Sequence, residues 1–205
     1  MSDNLILLHD ELSEKYYRFT TRWITGLFIR NIIDQLQKYN PESILDAGCG
    51  TGYISNEIKK SFNGTMISFD LDKTRISIAN RYFGLETIIA DINCLPFKDK
   101  VFDVALAIEI IEHLPDNKNA IVELKRVVKS VVIITVPNDP YFMIANFLRG
   151  KNLKTFGNPR DHICHFNKNL LKLALSPHFS LIEIKNNAVF WLTAVVSVKS
   201  GGPQI

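Results

Sequence analysis

The sequence predicts an open α/β sheet, mostly parallel, with one antiparallel strand near the C-terminus and helices on both faces. Three observations carry this expectation. From Glu42 onward, short runs rich in β-branched residues alternate with helix-patterned stretches, as parallel strands joined by right-handed crossovers do. The first five of these runs are apolar almost without a break, as strands covered on both faces must be. The last two are separated by too few residues to hold a crossover helix, so they pair antiparallel.

Taken in order, residues 1 to about 41 are rich in aromatic and long apolar side chains. Trp23, Leu27, Ile29, Arg30, Ile33 and Leu36 recur mostly at three- and four-residue steps ahead of Pro41. This segment reads as a helical cap that either packs on the core or lids a substrate pocket. Parallel strands follow at Ser43–Ala47, Thr65–Asp70, Glu86–Ala90, Phe102–Ile108 and Ser130–Val136, with helices at Ser55–Phe62, Lys73–Phe83 and Asn117–Val128. Phe179–Lys185 and Trp191–Val198, linked around Asn186–Ala188, form the antiparallel pair that completes the sheet with one strand reversed. The stretch 137–167 shows no clear period, and an insertion of that size in a compact domain is usually functional. The expected organisation is a single domain over 1–205: a helical cap at 1–41, a core at 42–200 carrying the 137–167 insertion, and a frayed tail from Ser200.

Composition agrees. The chain has 205 residues, 46% hydrophobic and 22% charged, enough apolar material for a full core, which excludes disorder and fibrous architectures. No stretch approaches the length needed to cross a bilayer, and the N-terminal residues lack a basic start before an apolar core, so a cytoplasmic location is expected. Cys49, Cys94 and Cys164 are widely spaced with no CxxC pair, which argues against a disulfide framework or a thiolate metal site; they read as small buried hydrophobes. The net charge of +3 comes from basic residues interspersed with acids, so nucleic acid is permitted as a partner but not indicated.

The run from Ile44 to Tyr53 is a strand that stops in three alternating glycines, Gly48, Gly50 and Gly52, and then opens a helix. Glycines there permit a sharp turn and close approach of a ligand to the backbone. The GxGxxG pattern of dinucleotide folds is broken by Tyr53 in its last position. The second strand ends in Asp70, where an open α/β nucleotide site needs a carboxylate for ribose hydroxyls; Asp72 reads as a helix cap. The third strand ends in Ala90-Asp91-Ile92. The fourth runs Phe102-Asp103 through Glu109, Glu112, His113 and Leu114, and later come Thr135-Val136-Pro137-Asn138 and the stretch from Asp161 to Asn167.

These features together resemble the class I S-adenosylmethionine-dependent methyltransferases, and the fourth-strand motif resembles the type 11 group in particular. The resemblance covers residues 42 to 198. It implies a Rossmann-like fold, S-adenosylmethionine as cofactor, and cofactor contacts at Asp46, Gly48, Gly50, Gly52, Asp70, Leu71, Asp91, Ile92 and Ile108. It implies that Asp91 receives the adenine amino group. It is nearly silent on the acceptor, for which a small or lipid-like molecule is the expectation.

Ligands of such sheets bind beyond the carboxyl ends of the strands, and His113, His162 and His165 are placed there as candidate catalytic bases. Trp191 reads as core. Glu109, Glu112 and His113 stand at i, i+3 and i+4, within one arc of a helical turn. With His162 or His165 they could hold a divalent cation, an arrangement similar to the motif of small-RNA 2′-O-methyltransferases and ubiquinone-pathway O-methyltransferases. The other reading is that Glu112 and His113 fix the loop by hydrogen bonds. A metal-assisted RNA 2′-O-methyltransferase and a non-catalytic S-adenosylmethionine-binding regulatory protein are therefore the alternatives to a small-molecule or lipid methyltransferase.

Overall fold

In a computed structural model, the described residues are 19–159 and 162–198. Tyr16, Tyr17 and His9 in the expected cap, Asp161, and the tail from Ser200 lie outside them. The first described helix, α1 (Phe19–Gln37), stops before Pro41 as expected. Its buried stripe is nevertheless Thr25, Phe28, Ile29, Ile32 and Leu36, while Trp23 and Leu27 face solvent. The apolar residues of this helix surround it too evenly for spacing to select the face. The sheet selects it, because Phe28, Ile29, Ile32 and Leu36 share a cluster with Ile44, Met66, Val104, Leu106 and Ile133.

Seven strands follow: β1 (Ser43–Ala47), β2 (Thr65–Asp70), β3 (Thr87–Ile89), β4 (Phe102–Ile108), β5 (Val128–Pro137), β6 (Phe179–Asn187) and β7 (Trp191–Val198). Their order in the sheet is β3-β2-β1-β4-β5-β7-β6. β7 runs antiparallel to both of its neighbours, so β6 shares the direction of β1 to β5 and one strand is reversed. Alternate residues feed two cores. Ile44 in β1 and Val104, Leu106 and Ile108 in β4 point towards α1 and α2 (Tyr53–Lys59). Leu45, Ala47, Ala105 and Ala107 point towards α4 (Lys118–Val127) and α6 (Lys168–Leu175). A sheet covered on both sides needs both sets apolar, which is why the strands carry little polar alternation.

α3 (Lys73–Phe83) begins where Asp72 accepts hydrogen bonds from the Thr74 and Arg75 N–H groups, at 2.7 and 3.2 Å, and ends at Gly84 in the left-handed conformation. Asp72 is the helix cap its position suggested. The 137–167 insertion is more regular than its sequence implied: α5 spans Tyr141–Leu148, and a single 3₁₀ turn spans Leu153–Thr155. Seven of the eight α5 residues are apolar, so no amphipathic period could announce it. The reading of all three cysteines as buried is corrected: Cys94 is exposed, and only Cys49 and Cys164 are partly covered.

Order runs from β1 to β4 across the middle of the sheet, where the strand sequence reverses direction. That reversal leaves a crevice outside the carboxyl ends of β1 and β4, flanked by the loops that follow them. The connection from β3 to β4 is held by Arg126 of α4, which donates to the carbonyls of Leu95 and Phe97 and to the carboxylates of Asp99 and Glu123. Glu123 in turn accepts the Leu95 N–H at 2.7 Å. Arg126→Ala leaves these partly buried acceptors without a donor and is expected to cost about 1–3 kcal/mol in urea denaturation. Faster amide exchange confined to residues around Leu95–Asp99 would accompany it.

Candidate functional site

The glycine loop begins where β1 ends. Gly48, Gly50 and Gly52 all have positive φ, at 70, 56 and 86°. Two of them are also sterically required. A Cβ on Gly48 would lie 2.2 Å from Ile110 Cδ1, and one on Gly52 would lie 2.8 Å from both Ala79 Cβ and Leu85 Cδ1. Gly50 differs, since a Cβ there would meet nothing within 4 Å and would project into open space. The middle glycine thus keeps a cradle empty, and the outer two let the chain close against α3 and the loop after β4.

Asp70 at the end of β2 supports the same loop. Its Oδ2 accepts the Gly50 N–H at 2.9 Å and its Oδ1 accepts the Asp72 N–H at 2.9 Å. Each carboxylate oxygen retains acceptor capacity beyond these bonds, and Asp70 sits at the crevice edge, nearly buried. Leu71 beside it is exposed. Asp46 lies one residue before the end of β1, 2% exposed. Burial pushes its carboxyl up to about 6, opposed by the Ser55 and Ser68 hydroxyls and reinforced by the charge of Asp70. Burial together with these two acids also raises the Cys49 thiol, which stays protonated at neutral pH.

At the end of β3, Asp91 is exposed and accepts both the backbone N–H and the side-chain amide of Asn93, at 2.9 and 3.0 Å. Ile92 is buried next to it. Ile108 closes β4 against Thr135 of β5. Asp46, the three glycines, Asp70, Leu71, Asp91, Ile92 and Ile108 therefore all sit at or just beyond the carboxyl ends of β1 to β4. The donor and acceptor set fits a cofactor with an amino-acid end, a ribose and an adenine: an open glycine cradle, a carboxylate with spare acceptor sites, and an exposed acid beside a buried isoleucine.

The loop after β4 carries the second constellation. Glu109 has a positive φ of 54°, with its N–H donated to the Thr135 carbonyl. Its carboxylate is drawn to Trp191, whose Nε1 donates to Oε2 at 2.8 Å. Glu112 is fully buried in a 3₁₀ turn spanning Ile111–His113, and its carbonyl accepts the N–H groups of Ile163 and Cys164, both at 2.9 Å. That contact folds the end of the insertion onto the loop. Ligand-capable atoms of Glu112, His113 and His162 consequently fall within 4.8 Å of one another. The His113 and His162 rings meet edge to face at 5.1 Å, and Phe142 of α5 stacks on His162 at 5.6 Å.

The structure thus brings together three of the residues singled out for a cation and turns Glu109 towards Trp191. His165 is placed differently again: its Nδ1 lies 3.0 Å from Asp139 Oδ2, and its Nε2 lies 3.3 Å from the Asn158 amide. Burial raises the Asp139 carboxyl, and His165 opposes that shift. Three participants went unnoticed in the sequence as site residues: Ile110, Asp139 and Trp191. Trp191 had been read as core, and it does pack on Phe28 at 4.6 Å, but its indole N–H serves Glu109. No local pattern announces such pairs, which lie 82 and 26 residues apart in the chain.

A Rossmann-like sheet with a glycine cradle at its switch point defines a class of nucleotide-cofactor domains. Within it, residues 45–135 match the methyltransferase-domain family. That match, which spans less than half of the chain, supports a class I S-adenosylmethionine-dependent methyltransferase of the type 11 group. It is 34% identical to norajmaline N-methyltransferase of Rauvolfia serpentina over 59% of this chain and 48% of that protein. It is 28% identical to an O-methyltransferase of Penicillium expansum over 49% of this chain and 39% of that protein. The chain therefore spans half or less of the length of these curated relatives. A crystal structure of a Pyrococcus horikoshii protein superposes with a TM-score of 0.72 at 17% identity, covering 94% of this chain and 99% of the other, which establishes a shared fold.

Two predictions come from the loop. Gly48→Ala, which drives a methyl group into Ile110, is expected to cost about 1–3 kcal/mol of stability, whereas Gly50→Ala is expected to cost about 1 kcal/mol from its backbone conformation alone. Denaturation of both variants checks the order. Asp46 should set a pH dependence. Its folded-state value lies above the unfolded one, so the unfolded chain sheds the proton first and stability falls as pH rises from about 4 to about 6, then levels. Asp46→Asn removes that loss, so the variant should gain on the wild type by on the order of 2–3 kcal/mol between pH 3.5 and pH 7.

Proposed function

We propose that this protein transfers a methyl group from S-adenosylmethionine to a small-molecule or lipid-like acceptor. The observation that carries this reading is the presence, beyond the carboxyl ends of the strands, of both an open glycine cradle at Gly50 and a cluster of aromatic and histidine rings formed by His113, His162, Phe142 and Trp191. The named relatives include an N- and an O-methyltransferase, which supports transfer to a heteroatom.

In this reading Gly48–Gly52 and Asp46 hold the amino-acid end of the cofactor, Asp70 accepts from the ribose hydroxyls, and Asp91 with the Ile92 N–H receives the adenine. Leu71 and Ile108 flank the rings. The cofactor, when bound, supplies a sulfonium-activated methyl group. The protein's share is to orient an acceptor nucleophile behind that carbon and to exclude water. His113 and His162 stand where a proton leaving an acceptor hydroxyl or amine can be taken up, and His165, held by Asp139, orients the insertion around them. Helix α1 and α5 of the insertion cover the acceptor side of a single domain.

A second reading is favoured by one specific observation, the convergence of Glu112, His113 and His162. One carboxylate and two imidazoles suit a borderline divalent ion without any thiolate. Such an ion would lower the pKa of an acceptor hydroxyl and replace the histidine base, as the metal-assisted RNA 2′-O-methyltransferase alternative requires.

Tritiated-methyl transfer to fractionated extract tests both. Label in the lipid or small-molecule fraction, unaffected by chelator, is the expected outcome. Label in RNA that is lost with chelator and restored by a divalent ion, together with inactive Glu112→Gln that still binds cofactor, would establish the second reading. Cofactor binding with no label in any fraction would leave a regulatory binding protein.

A further inference from the structure

We propose that α5 and the 3₁₀ turn after it form a docking surface for a lipid bilayer that carries anionic headgroups. The helix is inside out. Its Asn146 is buried, with its amide donated to the Gly157 carbonyl at 3.1 Å, while Tyr141, Ile144, Phe147 and Leu148 form a stripe at i, i+3, i+6 and i+7 that faces solvent. An ordinary surface helix does the reverse. The stripe is extended by Leu153 and Phe156, and Phe147 stacks on Phe156 at 6.2 Å. Leu148 and Phe156 are 78% and 77% exposed.

This surface is built, not frayed. Gly157 has a φ of 87° and approaches the α5 backbone so closely that a Cβ on it would lie 1.9 Å from the Met143 carbonyl oxygen. Together with the Asn146 bond, that approach clamps the turn bearing Leu153 and Phe156 onto the helix. An apolar face of this size on a described surface marks an interaction site.

Charge selects the partner. Between Asp139 and Asp161 the chain has no acidic residue, yet it carries Arg149, Lys151, Lys154 and Arg160. Exposed apolar side chains in a stretch of sequence that carries cations and no acid are the pattern of a segment that lies in the headgroup layer of an anionic membrane.

The same helix reaches the site. Phe142, on the inner side of α5, stacks on His162 and meets Trp191 at 6.1 Å. Docking by the outer stripe would set the acceptor pocket against the bilayer surface, so an acceptor could enter from the membrane. This deepens the lipid-like branch of the proposed function and rests on it for the acceptor alone.

Vesicle sedimentation tests the surface without requiring turnover. The 205-residue chain is mixed with vesicles of phosphatidylcholine, or of phosphatidylcholine with about one-third phosphatidylglycerol. Binding is expected to the anionic vesicles, to fall with added salt, and to drop roughly tenfold or more in Leu148→Ser/Phe156→Ser and in Arg149→Glu/Lys154→Glu. Melting temperature and S-adenosylmethionine affinity, measured on the same proteins, should not change. Wild-type protein that stays in solution with both vesicle types overturns the proposal, as does retention of binding in Leu148→Ser/Phe156→Ser. A dimer seen by light scattering and dissolved by that variant, without vesicle binding, assigns the face to a second copy and also overturns it. Loss of S-adenosylmethionine binding in the wild type would instead count against the proposed function and leave the vesicle result standing.

Discussion

The hydrogen bond from the Gly50 N–H to the Asp70 carboxylate is the interaction on which the glycine loop, the proposed cofactor side, depends. It joins the loop after β1 to the end of β2, two segments that the parallel sheet brings side by side through the pairing of Ala47 with Phe69. A loop with three left-handed residues has little structure of its own. Asp70 supplies the fixed point, and Ile110, Ala79 and Leu85 supply walls that only glycines can approach. Asp46 adds a buried carboxyl beneath the loop, whose charged form is favoured by the nearby Ser55 and Ser68 hydroxyls and opposed by burial. The cradle is therefore shaped before any ligand arrives, which lowers the ordering cost of binding.

The proposed acceptor side is organised by different means. Its backbone is tied by the Glu112 carbonyl, which accepts two N–H groups from Ile163 and Cys164 and so returns the end of the insertion to the loop after β4. Trp191 then links three layers, stacking near Phe28 of α1 and Phe142 of α5 while donating to Glu109. Because α5 is packed inward through Phe142 and Asn146 and shows apolar residues outward, the insertion has one face committed to the site and another turned to the surroundings. Catalytic folds of this kind vary their chemistry through such loops while the sheet stays constant.

Two elements show how the reading from sequence divides from the folded result. α3 was legible to the residue, because Asp72 caps its start and Gly84 ends it, and both signals are local. α5 was not, because a helix that is apolar almost all round carries no period, and its inverted orientation is set by Asn146 and Gly157 across ten intervening residues. The buried face of α1 was misassigned for a related reason: Trp23 and Leu27 are as apolar as Phe28 and Ile32, and only the complementary surface of the sheet chooses between them.

The sequence by itself determined the parallel sheet, its reversed C-terminal strand and the glycine loop with the acids that follow the next two strands. Each of these depends on neighbours in the chain: apolar runs, turn residues and strand-end positions. Tertiary structure decided the rest. It sent Glu109 to Trp191 and His165 to Asp139, and gathered Glu112, His113 and His162 from the two ends of a long excursion. The physical reason is that a short-range polar contact between distant residues depends on where two loops meet in space, and that meeting is set by backbone hydrogen bonds and packing that leave no periodic trace in the chain.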